Sequence, residues 1–572
     1  MTAPHWPRRT DWWQRGVVYQ VYPRSFADSD GDGVGDLPGI LAHLDHLESL
    51  GVDALWLSPI YPSPGLDLGY DVADHSTIDP LFGSMDDFDR LLAAAHGRGI
   101  AVVLDLVLNH TSDRHHWFVN SMARADAKAD WYLWRDPSGW RGKRPLPPNN
   151  WLSFFGGSAW TWVPARGQFY MHTFLSEQPD LNWRNPGVRE AQLEVAHGWL
   201  ERGVDGFRLD VFNTFFKHAD LPSNPSSATR AQTPPWATQV HLHDRDQPEL
   251  AGFLDEFRAM VDAEPGRMTV GELFDDQIEV AAAYSAPRHL IFDWTLVETP
   301  WQATALAQAI ERREQAFGPD RWPTVVLSNH DRPRHASRFA GDVTRAGSSG
   351  DRDAIARAAG VLSLTLRGTP FLYYGEELGL GDVDIPNAEA VDPPARTMPP
   401  EHWWNRDQCR APMPWDGGLH GGFTTGAPWL AMASDVATRN VARQAADPRS
   451  VLAAYRALIA LRRRTPALQT GSLHDVTARG DLLTYARVPE PGSDDEPVTV
   501  AINVGSERNS VTIEPPNARG IGAGEPAGWA LLFSSERPSE SPRNLAAPAS
   551  RPIELRLDPH EAVILGLIRT PD

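Results

Sequence analysis

SMDDFDRLLAAAHGRGIAVVLDL, residues 84–106, decides the fold. Ser84 and Asp87 stand three apart at its head, the spacing of a capping box that satisfies two orphan backbone N–H groups. Phe88, Leu91, Leu92 and Ala95 follow at i, i+3, i+4 and i+7, one stripe of a helix. Gly97 and Gly99 stop that helix, and Ile100–Leu106 is a nearly continuous apolar run. A strand so apolar is buried on both faces, and a helix feeding such a strand is the repeat of a parallel sheet.

The unit recurs on both sides. Leu37, Leu41, Leu44 and Leu47 form a helical stripe over residues 37–50, Gly51 ends it, and Val52–Leu57 reads as a strand. Asn185-Pro186, a cap and a favoured first-turn proline, opens a third helix that stops at Gly203 before the strand Val204–Leu209. Gly16–Tyr22, Met268–Glu272, Leu290–Asp293, Thr324–Leu327 and Pro370–Tyr374 bring the strands to eight. The expected fold is therefore an α/β protein with a (β/α)8 TIM barrel. Two segments break the alternation. Residues 111–184, rich in Trp, Gly and Pro, read as a subdomain inserted after strand three. Beyond a helix at 450–464, with Leu452, Tyr455 and Ile459 inward, short β-like runs at Leu482–Val488, Val498–Val504, Ser510–Glu514, Trp529–Ser534, Ile553–Leu557 and Ala562–Ile568 predict an antiparallel β-sandwich. The division is thus 1–110 with 185–467 for the barrel, 111–184 for the insert and 468–572 for the C-terminal domain. The Pro/Ser/Arg-rich residues 536–551 read as a mobile loop.

Bulk properties exclude several classes. A formal charge of −21 over 572 residues repels nucleic acid and anionic membranes. The single cysteine, Cys409, allows neither an internal disulfide nor a thiolate metal cluster. Met1 to Arg15 is polar and lacks the apolar core of a secretory signal, and no run nears the ~20 apolar residues of a membrane span. A soluble, cytoplasmic protein is expected; its oligomeric state is open. The 22 tryptophans, though mostly core material, suit a sugar site.

Barrel active sites lie at the C-terminal ends of the strands. Those ends carry Asp105, Asn109 and His110, then Arg208 and Asp210, then Glu272, then His330 and Asp331. One polar residue at a strand end is ordinarily a cap. Carboxylates converging from four strand ends repel one another unless something uses them. Breaking a glycosidic bond with retention needs such a pair, one carboxylate as nucleophile and one carboxyl as acid. Arg208, two residues before Asp210, shares its side of the strand and favours its ionised form, so Asp210 suits the nucleophile. Glu272, on a longer arm after Val270-Gly271, suits the acid/base in a dry site that raises its pKa.

These segments resemble the signature regions of the α-amylase family of glycoside hydrolases: Asp105-Leu-Val-Leu-Asn-His110, Gly206-Phe-Arg-Leu-Asp-Val-Phe-Asn213, Val270-Gly-Glu-Leu-Phe274 and Ser328-Asn-His-Asp331. The match runs from residue 12 to about 470, with the motifs in the required order. Gln178-Pro-Asp-Leu-Asn182, Gly368-Thr-Pro-Phe-Leu-Tyr-Tyr-Gly-Glu-Glu377 and Arg410-Ala-Pro-Met-Pro-Trp415 are similar to further motifs of its α-glucosidase and oligo-1,6-glucosidase branch. The resemblance implies that Asp331 holds the sugar's 2- and 3-hydroxyls, that His110 and His330 donate to hydroxyls at the same subsite, and that Tyr70 stacks on the terminal glucose. It also implies that Asp71 pairs with an arginine, here Arg410, to close the pocket. Phe155 completes the expected sugar-binding set.

Asp28-Ser-Asp-Gly-Asp-Gly-Val-Gly-Asp36 offers oxygen ligands from Asp28, Asp30, Asp32 and Asp36 and a carbonyl from Val34. That is the first part of a calcium loop, although Gly39 stands where the bidentate Glu belongs. The resemblance implies a structural Ca²⁺ or Mg²⁺ here, and no organic cofactor. α-Amylases carry Lys-His three and four residues after the nucleophile, where the His carbonyl binds calcium; Asn213 and Thr214 stand there instead, which favours the glucosidase branch. Val211 goes in relatives with α-1,6 linkages. The expected activity is exo-hydrolysis of short α-glucosides such as maltose and isomaltose. A transferase or isomerase of the same family, acting on sucrose or trehalose, is the alternative. A transporter-subunit member would lack the complete triad and carry a membrane span.

Overall fold

The structure is a computed structural model that describes every residue except 1–9, 228–233, 275–276, 286–288, 346–350, 387, 399–404, 494, 516–525, 546 and 570–572. Much of the polar N-terminal stretch therefore lies outside the described residues.

Eight parallel strands form the barrel: β1 (Val18–Val21), β2 (Ala54–Leu57), β3 (Ala101–Leu106), β4 (Gly206–Leu209), β5 (Met268–Gly271), β6 (Leu290–Ile291), β7 (Thr324–Val326) and β8 (Thr369–Tyr373). Their hydrogen-bonded order is β6-β5-β4-β3-β2-β1-β8-β7. A side chain closes the remaining seam: Thr324 Oγ1 accepts from the Asp293 N–H at 3.0 Å and donates to the Ile291 carbonyl at 3.0 Å. Successive residues alternate between two cores, as the pleat requires. Val18, Ala54, Trp56, Ala101, Val103, Met268 and Val270 fill the barrel interior. Tyr19, Leu55, Leu57, Val102 and Leu104 face the helices.

The helix Met85–Gly97 has both halves of its capping box and buries Phe88, Leu91, Leu92 and Ala95. Pro186–Arg202 is capped by Asn185 and ends at Gly203 with φ +108°. The expected single helix over 37–50 is two, Leu37–Ala42 and Leu44–Leu50, broken at His43. That ring stacks on Trp415 at 3.6 Å, which ties the break to a distant loop. Within 111–184 lie a three-stranded antiparallel sheet (Trp134–Arg135, Trp160–Val163, Gln168–Met171) and a hairpin of Gly139–Arg141 with Arg144–Leu146.

All six predicted C-terminal runs are strands. They join Ser472–Arg479 and the two-residue strand Arg543–Asn544, neither of which was expected, in a six-stranded and a two-stranded sheet. Ser472–Arg479 was hidden because its residues are half-buried or exposed throughout. Residues 543–544, within the stretch read as a mobile loop, pair with Ala530 and Leu531. Among the described residues, no helix is long and apolar enough to cross a membrane.

Candidate active site

The period of two that buries Ala101 and Val103 inside the barrel also turns Asp105 inward. It likewise leads from Gly206 to Arg208 and Asp210, and from Met268 and Val270 to Glu272. Arg208 is fully buried and central to all of them. Its Nη1 meets Asp105 Oδ1 at 2.6 Å and Asp210 Oδ1 at 2.9 Å, while Nη2 contacts Glu272 Oε2. Asp210 and Glu272 thus sit on neighbouring nitrogens of one guanidinium. Each keeps a little solvent access, 6% and 9% of the residue. Burial pushes the Asp210 carboxyl up to about 7, against the pull of Arg208 and helped by the charges of Asp105, Asp331 and Asp67. Glu272 is buried, as expected, and a guanidinium faces one of its oxygens.

A directional hydrogen-bond chain supports the site floor. Gln20 Nε2 donates to His330 Nδ1 at 2.7 Å, which makes Nε2 the protonated nitrogen facing Tyr70 Oη at 2.7 Å. Tyr70 Oη in turn donates to Asp105 Oδ2 at 3.0 Å. Burial lowers His330 to about 3 and His110 to about 4, so both rings are neutral. His110 reaches the Tyr70 carbonyl at 3.1 Å and Gln178 Nε2 at 3.2 Å. Burial favours the neutral form of Asp331. The ring of His330 and the cations Arg406, Arg410 and Arg208 outweigh it and hold the carboxyl well below the ordinary range.

The expected Asp71–Arg410 pair is corrected. Asp71 is fully buried in its own turn, accepting from Ser63 Oγ and from the N–H groups of Leu66 and Asp67. Arg410 donates to the His330 carbonyl and, at 2.8 Å, to Asp331. The pair that joins these two segments is Asp67 with Arg406, at 2.8 Å. Positive φ at Leu68 (+53°) and Gly69 (+116°) folds Asp67-Leu-Gly-Tyr-Asp71 back, aiming its first aspartate at the pocket and its last at backbone. Both members of each pair were visible: two aspartates flank Gly69-Tyr70, and two arginines lie four apart in Arg406-Asp-Gln-Cys-Arg410. Nothing in the residue types ranked them.

Val211, beside Asp210, has φ +31°, strained for a β-branched residue. It packs with Phe155 and Phe174, flanked by Phe154, Leu175 and Phe274. Phe155 lies 5.4 Å beneath the Arg406 guanidinium. Close to Asn213 and Thr214, the buried Lys217 ammonium meets Asp180 Oδ2 at 2.6 Å, Asn109 Oδ1 at 2.9 Å and the Thr214 carbonyl.

On the first βα loop, carboxylate oxygens of Asp28, Asp30 and Asp36 all lie within 4.8 Å of one another. Such an all-oxygen set fits a hard divalent cation. Asp32 stands outside that cluster, with one oxygen accepting from the Val34 N–H at 2.8 Å. Asp36 also caps the helix Leu37–Ala42.

A parallel eight-stranded barrel with three acidic side chains around one arginine at its C-terminal mouth belongs to the class of barrel glycoside hydrolases. Residues 20–471 match the family model "Alpha amylase, catalytic domain", and the chain belongs to the α-amylase family. It is 44% identical to a probable alpha-glucosidase of Rhizobium meliloti over 83% of this chain and 87% of that one. An oligo-1,6-glucosidase of Heyndrickxia coagulans is 36% identical over 93% and 99%. Among solved structures, the alpha-glucosyl transfer enzyme XgtA superposes with a TM-score of 0.85 at 40% identity, covering 98% of this chain and 99% of that one.

Proposed function

We propose that this chain is a retaining, exo-acting α-glucosidase that releases glucose from the non-reducing end of short α-glucosides. The observation that carries this is the pair Asp210 and Glu272 on adjacent nitrogens of Arg208, which gathers at one place the nucleophile and the acid that a retaining mechanism needs. Asp210 attacks the anomeric carbon while the glycosidic bond breaks and Glu272 gives its proton to the departing oxygen. Oε2 faces Arg208, so Oε1 is the oxygen that carries the proton. Glu272, now a carboxylate, then takes a proton from water, whose oxygen displaces Asp210 and frees glucose with its α configuration. Arg208 steadies the carboxylate that leaves in that second step.

Asp331 accepts from the 2- and 3-hydroxyls and Tyr70 stacks on the ring; His330 and His110, expected as donors to its hydroxyls, instead spend their N–H groups on Tyr70 Oη and the Tyr70 carbonyl and shape the subsite through that residue. Asp67 with Arg406 closes the pocket behind the glucose, which supports exo-action on short substrates. Asp28, Asp30 and Asp36, with Asp32 and the Val34 carbonyl beside them, hold a structural Ca²⁺ or Mg²⁺ that supplies stability and no step of the reaction. The site takes a small oligosaccharide, and we place the enzyme in the cytoplasm.

The similarity to a glucosyl transfer enzyme favours one second reading, in which a sugar hydroxyl replaces water in the second step. The test is a panel of maltose, isomaltose, sucrose, trehalose and starch with products identified, repeated at high sugar concentration. Glucose from maltose and isomaltose, with starch almost untouched, is the expected result. Starch cleaved internally, or isomaltose left intact, overturns it.

A further inference from the structure

Arg406 and Arg410 both reach Asp331 Oδ1, at 3.1 and 2.8 Å. Two guanidinium groups converging on one carboxylate oxygen repel each other, and each opposes the other's charge in a fully buried place. Something must hold them together. Behind them lies Asp392, fully buried and absent from every motif considered above. Its Oδ1 accepts from Arg406 Nε at 2.7 Å and stands 3.6 Å from Arg410 Nη1, an atom with no hydrogen-bond partner among the described residues. Its Oδ2 accepts from the Arg406 backbone N–H at 2.8 Å. In return, Asp407 Oδ2 accepts from the N–H groups of Val391 and Asp392, at 2.7 and 3.1 Å. The segments 391–392 and 406–407 therefore clasp each other, each one's carboxylate on the other's backbone.

Arg406 consequently spends its three nitrogens on three carboxylates: Nε on Asp392, Nη1 on Asp331 and Nη2 on Asp67. Only the first is remote from the pocket. We propose that Asp392 is a positioning residue for the glucose-binding end of the pocket, the shared counter-ion that aims both arginines at Asp331. It touches no substrate and acts through the guanidinium groups. A planar fork fixed at its Nε cannot rotate without losing its other two bonds, so the negative charge of Asp392 sets where Asp331 and Asp67 are held. Removing that charge leaves two buried cations sharing Asp331 and lets Arg406 swing from the pocket. This inference rests on the α-glucosidase reading.

The experiment compares the parent, Asp392→Asn, Arg406→Gln and the double variant. It measures KM and kcat for maltose and isomaltose, inhibition by glucose, and thermal melting. Asp392→Asn keeps the shape of the side chain and drops its charge. KM for both disaccharides and the glucose inhibition constant are expected to rise together, by roughly tenfold or more, the scale at which outer partners of ligating groups usually act. They rise together because both substrates put the same ring against Asp331. In the Arg406→Gln background the same change is expected to cost little more. A merely structural role would instead lower the melting temperature and the active fraction, leaving KM and the inhibition constant where they were. Unchanged KM and inhibition, or full additivity with Arg406→Gln, overturns the proposal. Should Asp392→Asn fail to fold, the double variant, with charge balance restored, is expected to fold; its failure also overturns it. A parent inactive on every α-glucoside would sink the functional reading instead, which keeps the two failures distinct.

Discussion

At the scale of single residues the site is governed by one cation among acids. Arg208 opposes the burial that drives Asp210 up to about 7, and the nucleophile works only when ionised. Its folded pKa is raised above the ordinary 3.8, so activity is lost as pH falls through the raised value. Neutralising the cation raises that value further. Arg208→Gln is therefore expected to move the acid limb of kcat/KM to higher pH by roughly 1–3 units, the usual effect of an adjacent arginine on a carboxylate. A pH profile checks it, and an unmoved limb refutes it. Glu272→Gln separates the two chemical roles: disaccharide hydrolysis is expected to fall by about 10²–10⁴, the usual worth of a general acid. An aryl α-glucoside, whose leaving group needs no proton, should still give a burst of phenol as the glucosyl-enzyme builds up. Equal losses on both substrates would deny Glu272 the acid role.

At the scale of elements, what was legible followed from periodicity and what was hidden followed from turns. Strict alternation along β3, β4 and β5 makes the inward positions countable, so Asp105, Arg208, Asp210 and Glu272 fall on one face from pattern alone. Glycine serves the same end: a Cβ on Gly206 would lie 2.1 Å from the Met268 carbonyl, so only glycine lets β4 approach β5 there. Asp67 and Arg406 escaped because their pairing spans 339 residues and depends on the backbone torsions of the turn at 67–71, and Asp392 because its partners lie on the separate segment Arg406–Arg410. The strand Ser472–Arg479 escaped for a different reason: its inward side chains, Leu473, Val476 and Ala478, are only half-buried against the core. The acidic loop was legible by spacing, and its packing is now testable. Gly33 has φ +95°, and a Cβ there would lie 1.9 Å from the Ala427 carbonyl. Gly33→Ala is thus expected to lower the melting temperature through both strain and clash. Chelation by EDTA should lower it too, with kcat at a temperature well below melting unaffected. A melting curve indifferent to EDTA would remove the metal.

At the scale of the whole molecule, the barrel and the C-terminal sheets share one hydrophobic core. Leu483, Val498, Val500, Ile502, Phe533 and Ile564 belong to the same core as Val361, Leu362, Leu364 and Leu458 of the barrel's last helices. Polar contacts stitch the seam as well. Tyr485 Oη meets Thr365 Oγ1 at 2.5 Å, and Arg487 donates to the carbonyls of Thr365 and Gly471. Arg462, from the barrel side, donates to the carbonyls of Leu468 and Gly368. Burial lowers these two arginines, to about 9 and 10, helped for Arg487 by the charge of Arg462; among the described residues their hydrogen bonds go to backbone oxygens. Six large side chains at about 1.5–3 kcal/mol each amount to roughly 9–18 kcal/mol of apolar burial, an upper figure. The barrel's helices therefore rely on the C-terminal sheets to cover them. A chain ending at residue 470 is expected to aggregate or to melt without cooperativity, although it keeps Asp210, Glu272 and Asp331. The full chain should show a single calorimetric transition. A truncated chain that is monomeric, melts sharply and hydrolyses maltose would show that the barrel's fold needs no cover from residues 471–572.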